Sequence, residues 1–560
     1  MRPISTLSLY ILLALLCISQ QQHDAVSATP ASGFAHSFVR AQVDATNQTK
    51  LTTFNVGQFV IDFACESAKP GFCDQASGAI RRACRRIQTQ LKFKRPIKAV
   101  VAMFRPCGAS QPDPKCPHSR FVGVASPTHF YPVKHKDDGL VYEYPTVLLR
   151  QTDIVPDDAS VAWPQYDIMA AFNEFVDYWF QGEQWSPMGD MIDLEYVATH
   201  ELLHGLGWGV SGAANNPPNN STSLILPAHE TSPRGTVPEP IKLPLDLDES
   251  KSDARFYSFI RPTIFDRFHV MSTAGWPNAT RSAVPISEFI SKIQTAATRL
   301  IASGAIKPMS AADAQAASAR LDQTPEHKAI AANTTQVAFN PKDVYSAMES
   351  DPEARSIMAA MYKTVTTADS VRFDAGSWAP AGAQVHSLLG LPPSSTRLLM
   401  ETSHDPFAKG STLGHIQYPA ELQRALKSGS GAPRISSMQI FGSEFLMISS
   451  VLPSTLESLS MQLGVRSGIG PKTVAALVAT GYTPASSKEW VSRKDVAELV
   501  RAEVPLGSPL GAPLTLPDNG DPASPGSRRP EQRPSSNDAR RVVSGWVAVL
   551  GVLGSMALVV

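Results

Sequence analysis

The string His200-Glu201-Leu202-Leu203-His204 constrains this chain more than any other feature of it. Residues four apart share one face of an α-helix, so two imidazoles at this spacing can point at one ion if the segment is helical. The flanks agree. Asp190, Asp193 and Glu195 precede the string, where the helix dipole favours negative charge, and Gly205 and Gly207 follow it as stop residues. The pattern predicts a helix opening near Gly189 and Asp190 and running through Ile192, Leu194, Tyr196 and Val197 to about Leu206. Glu195 is expected there as a surface acid of the first turns.

Imidazole is a good ligand for Zn²⁺, which takes three protein groups and an open fourth position in a catalytic site. Glu201 projects about 100° away from His200, beside the expected metal and not onto it. There it can take a proton from a water whose pKa the metal has lowered. Hydrolysis of a peptide carbonyl by such a water needs a base and a Lewis acid, and the string offers both.

The third ligand decides the class. The chain continues Gly205-Leu206-Gly207-Trp208-Gly209, but Val210 stands about six residues past the second histidine, where most metzincins have their third. Further on come Gly410-Ser411-Thr412-Leu413-Gly414-His415, then Glu444-Phe445-Leu446-Met447, then Gly468 to Leu477 running on to Gly481-Tyr482. In that order these fragments resemble the leishmanolysin family of the metzincin clan and its fungal and bacterial look-alikes, over roughly Leu51 to Pro484. The resemblance implies a secreted zinc endopeptidase with His200, His204 and His415 as metal ligands, Glu201 as general base and Met447 beneath the metal. The insertion before His415 is longer than in leishmanolysin, and that protein's many cysteines are missing. On the residues alone the third ligand stays open between His415, His404, His269 and Asp266. Trp208 reads as core, Tyr418 and Tyr482 as hydroxyls able to steady an oxyanion, and His386 as a structural residue in a strand.

The two ends read as targeting signals. Arg2, the apolar run Leu7 to Ile18 and Val26-Ser27-Ala28 have the charge, core and cleavage pattern of a signal peptide over residues 1–28. Residues 542–560 are uncharged and apolar, behind Arg540 and Arg541, and match a GPI-attachment signal, with an ordinary membrane span as the rival. Residues 501–541, rich in Pro, Gly and Ser, read as a disordered stalk. Sequons at Asn47, Asn219, Asn220, Asn278 and Asn333 are candidate glycan sites on a secretory chain. Of the cysteines left behind the signal, Cys107 and Cys116 flank a Pro/Gly loop as the easiest pair to bridge. An odd cysteine remains as a free thiol or a latency ligand. With 50 basic and 50 acidic residues and no basic stripe, nucleic acid is excluded as a partner. A peptide or protein substrate and a membrane anchor are the partners expected, at the cell surface or outside it.

The expected fold is α+β: a metzincin-like two-subdomain body with a twisted mixed sheet, an active-site helix and a mainly helical or irregular lower part. The expected partition is 29–209 catalytic, 210–395 insertion and 396–500 third ligand and methionine turn. Strands are predicted at Phe54–Phe63, Ile97–Phe104, Arg120–Ala125, Ala383–Leu391 and Thr396–Glu401. Helices are predicted at Gln75–Leu91, Pro285–Gly304 and Pro341–Thr364. A function from another class, a GPI-anchored adhesin or wall-structural glycoprotein with an inert zinc site, fits the two ends equally well.

Overall fold

In the computed structural model the described residues are 51–67, 69–105, 122–155, 163–183, 191–209, 212–215, 224–227, 262–273, 281–307, 341–375, 379–391, 397–402, 413–418, 442–449, 452 and 454–499. The signal, stalk and tail, the five sequons, Cys107, Cys116 and His404 lie outside them. They form an α+β structure.

The first layer is a five-stranded sheet. β1 (Thr52–Val56) and β2 (Phe59–Ala64) form a hairpin, so the single strand expected over Phe54–Phe63 is two. Gly57 turns the chain between them with φ 57°, a left-handed conformation that glycine takes without strain. From Gly71 the chain enters α1 (Phe72–Gln90), whose buried residues Phe72, Ala76, Ala79, Ile80, Ala83, Cys84 and Ile87 keep the three-to-four spacing of one helix face. β3 (Leu91–Lys92) follows, then β4 (Ile97–Phe104), β5 (Gly123–Pro127), β6 (Phe130–His135) and β7 (Val141–Pro145). Next come a single helical turn, α2 (Thr146–Leu149), and β8 (Ile168–Asn173). Strand order is β1-β2-β4-β8-β5; β2, β4 and β8 run parallel, and the two outer strands are antiparallel to their neighbours. β8 is buried throughout and β4 at every residue but Lys98, as expected of inner strands covered on both faces.

β9 (Tyr178–Trp179) pairs with β10 (Ile192–Asp193), which leads directly into α3 (Leu194–Gly205). The helix therefore starts later than Gly189 and Asp190, which lie outside the described residues. All twelve of its residues are buried, and it packs on α1, β5 and β8. A helix enclosed on every side has no outer face for charge, so Glu195 is not a surface acid: it is 4% exposed and paired to Arg82 (2.5 Å) and Arg86 of α1.

After β11 (Gly212–Asn215) and β12 (Leu224–Pro227), a 3₁₀ turn at Asp266–Phe268 opens a second, antiparallel sheet. Its strands are β13 (His269–Ser272), β14 (Ala283–Pro285), β15 (Val371–Asp374) and β16 (Arg397–Leu399), in the order β14-β13-β15-β16. Helices α4 (Ile286–Ala302), α5 (Pro341–Ser350) and α6 (Pro352–Val365) accompany it. The helix expected over Pro341–Thr364 is thus divided at Asp351, whose carboxylate caps α6 through the Ala354 N–H (2.8 Å). The strand expected at Ala383–Leu391 is instead α7 (Ala379–Leu389), which carries His386; Val385, Leu388 and Leu389, which it turns inward, keep the three-to-four spacing of a helix face.

The remaining elements are α8 (Leu456–Gln462), α9 (Pro471–Thr480), β17 (Thr483–Pro484) and β18 (Ala497–Leu499). The last two return to the first half of the chain: β17 pairs with β3, and β18 with β6. One disulfide joins Cys65 to Cys73, and Cys84 is a free thiol in the core whose pKa burial pushes up to about 12. Among the described residues no helix is long and apolar enough to cross a membrane.

Candidate metal centre

α3 presents His200 and His204 on one face, and residues 413–418 bring His415 to them from far along the chain. The Nε2 atoms stand 3.1 Å apart between His200 and His204, and 3.3 Å from each of these to His415. All three rings are buried, and among the described residues no other group of acids, histidines and cysteines converges so closely.

The ring orientations are fixed from behind. His200 Nδ1–H donates to the Leu446 carbonyl (2.6 Å), and His204 Nδ1–H to the Trp208 carbonyl (2.7 Å). A carbonyl only accepts, so each ring carries its proton on Nδ1 and turns the bare lone pair of Nε2 inward. Burial lowers His200 to about 4 and His204 to about 3, the latter helped by its neighbour His200, so near neutral pH neither gains a second proton. Lone pairs facing each other at such distances repel unless a cation lies among them. Donors 2.0–2.1 Å from a tetrahedral zinc stand about 3.3–3.4 Å apart, close to the triangle seen. The residues present fit a zinc ion.

Glu201, one residue along the helix, is completely buried, and no hydrogen bond of normal geometry reaches either carboxylate oxygen among the described residues. Burial pushes its pKa up to about 8, partly offset by the backbone amide of Ala125 on β5. Such an isolated carboxylate is costly and is most often kept for chemistry. β5 comes this close because of Gly123: a Cβ there would stand 3.1 Å from Glu201 Cγ, 2.9 Å from Val197 Cγ1 and 2.9 Å from Phe172 Cδ1.

Three supports for the centre show their long-range partners only in the fold. Asp193 caps α3 through the Glu195 N–H (2.8 Å) and with its other oxygen caps α8 through the Leu456 N–H (2.7 Å). The Met447 carbonyl accepts from the Ile416 N–H (2.7 Å), next to the Leu446 carbonyl that holds His200. Glu444 caps α9 through the N–H groups of Lys472 and Thr473, both at 2.9 Å, which anchors the segment carrying Met447. Trp208 is buried as expected and does more than fill the core: its Nε1–H donates to the Gly414 carbonyl (3.0 Å), beside His415.

His269 and Asp266 stand outside the triangle. Asp266 accepts from the N–H and hydroxyl of Thr263, and the His269 ring lies edge-on to Phe265 and Phe373. The Tyr482 hydroxyl donates to the Leu206 carbonyl (2.8 Å) and that of Tyr418 shares a hydrogen with Ser449 Oγ (2.6 Å), so both are engaged in the scaffold. Cys84 sits in the hydrophobic core and is no latency ligand.

Fold and site together define an α+β protein with a buried three-histidine centre and an adjacent carboxylate. The chain belongs to the SPBPB7E8-like family, whose model matches residues 17–352, a span that includes His200, Glu201 and His204 and ends before His415. It is also similar to the uncharacterized protein PB7E8.01 of Schizosaccharomyces pombe, at 29% identity over 192 residues; the match covers 31% of each chain. No solved structure matches.

Proposed function

We propose that this protein is a zinc-dependent endopeptidase of the metzincin type, working at or outside the cell surface. The observation that carries the reading is the pairing of three converging Nε2 atoms with a buried carboxylate that has no ordinary partner of its own. A structural zinc site is closed by four protein donors, whereas three converge among the described residues.

His200, His204 and His415 would hold the ion. When bound, zinc supplies Lewis-acid polarisation of the scissile carbonyl and a lowered pKa for its water. Glu201, beside the ligands, would carry the proton, taking it at a carboxylate oxygen and returning it to the leaving amine. The β5 strand lies at the edge of the five-stranded sheet, against Glu201. An extended peptide pairing with it would pass the carboxylate, as edge-strand recognition requires. The order of the Leu446-Met447 segment behind the ligands also agrees with the leishmanolysin resemblance. A cleavable leader and a lipid-anchored tail complete the proposal.

The test is turnover of casein by the processed protein. Activity is expected to vanish with a chelator and to return with Zn²⁺. Glu201→Gln should keep the metal and lose about three or more powers of ten in kcat. Zinc bound without any turnover would leave an anchored adhesin as the better account.

A further inference from the structure

We infer that Glu401 is a positioning residue for the third metal donor, so that the sheet built between His204 and His415 is part of the centre's machinery; this rests on the metallopeptidase reading above. β16 ends at Leu399, and the chain runs on through Met400 into Glu401, which is completely buried. Three hydrogen bonds join Glu401 to the segment carrying His415. Its N–H donates to the His415 carbonyl (2.8 Å), and its own carbonyl accepts from the Leu413 N–H (2.9 Å). Its side chain adds Oε2, which accepts from the Tyr418 N–H (3.1 Å). These bonds fall before, at and after the histidine, so one residue brackets the whole turn.

The turn needs bracketing. Leu413 has φ 65°, a conformation that a leucine rarely adopts and that only its surroundings can maintain. The flanks are tied to the same frame: the Gln417 N–H donates to the Leu399 carbonyl (2.9 Å), and Met400 bridges Ile416, which bridges Ile448. Any residue at position 401 would make the two main-chain bonds. The third needs an acceptor of this length, and a buried carboxylate is a costly way to fill space unless its acceptor is used. His200 and His204 have a helix to aim them; His415 has this ladder, and Glu401 is its last rung.

The test compares Glu401→Met, which keeps the volume and removes the acceptor, with Glu401→Gln, which keeps both. Zinc affinity is read on apoprotein by competition with a chromogenic chelator. Coordination is read from the visible ligand-field bands of the Co²⁺-loaded protein, and folding from the thermal midpoint of the apoprotein. E401M is expected to bind zinc about tenfold more weakly, the lower end of what loss of a ligand's own outer partner costs, because the bond it gives up is to Tyr418 and not to the His415 ring, with altered cobalt bands and an apoprotein midpoint near wild type. E401Q should stay within a few-fold of wild type. Should E401M not fold, E401D, which withdraws the acceptor by one methylene, is expected to show the same weakening. An acceptor-deficient variant that binds like wild type overturns the inference, as does an E401Q that loses as much as E401M. Wild-type protein that takes up no zinc at all sinks the metallopeptidase reading itself, a result distinct from either.

Discussion

The helix histidines and the third histidine reach the same point by opposite routes. His200 and His204 lie one turn apart on α3, and the helix needs only its own geometry, a cap and a buried seat to aim them. His415 is 211 residues beyond His204 and is aimed by a ladder of main-chain bonds from β16 and from the Met447 segment. One half of the centre is local, and the other is assembled. Ligands set by short-range geometry tolerate change around them; ligands set by long-range pairing transmit it.

Removing single ligands gives the largest effects and the sharpest test of the contrast. His204→Ala and His415→Ala are each expected to cost on the order of 10³-fold in zinc affinity, since binding energies of about 10–16 kcal/mol are shared among three or four donors. Metal content after dialysis and chelator competition measure this, and an unchanged affinity in His415→Ala would remove the third donor from the scheme. Next in size is Glu195→Ala, which strands Arg82 against α3 and leaves Arg86 with Glu457 as its remaining carboxylate. Arg82 is a quarter exposed, so the cost is put at about 2–3 kcal/mol by urea denaturation, below the roughly 3–5 kcal/mol of fully buried pairs. Gly123→Ala presses β5 away from Glu201 and α3, for about 1–3 kcal/mol of overpacking. Activity should fall further than stability does; equal losses would mean that β5 plays no part in positioning Glu201.

The smallest effect is a pH dependence. Burial pushes Asp193 up to about 6 from the ordinary 3.8, so folding favours its protonated form. The stability it contributes is fully present below about pH 4 and is lost as pH rises through 6. Between pH 5 and 7 the loss is about 1 kcal/mol. Asp193→Asn should flatten that part of the stability–pH curve. If the slope survives the substitution, another group owns it.

What the sequence made legible follows the same division. The α3 helix, its two histidines and its glutamate stand out because a helix writes its geometry into a spacing of four. β4, α1 and α4 are legible for the same reason: each carries an unbroken apolar run or face. His415 was reached through family resemblance, because no local period links it to residue 204. Glu401 and Gly123 are invisible in the sequence, and Asp193 shows only as one of the acids ahead of the helix, with nothing of its second cap on α8. A buried carboxylate looks like any surface acid until the fold closes over it, and a glycine gives no hint of what passes above it. Glu195 lies inside for that reason, and the segment Ala379–Leu389 is a helix because its apolar residues, too few to fix a period, pack at helical spacing.

The return of β17 and β18 to the first half of the chain has a practical meaning for release from any tether. Because residues 483–484 and 497–499 are stitched onto β3 and β6, a protease that cuts beyond Leu499 would leave both pairings in place. One that cuts a few residues earlier would unpick the strand holding the two halves in register. The boundary between a chain that keeps this pairing and one that loses it therefore falls within a handful of residues.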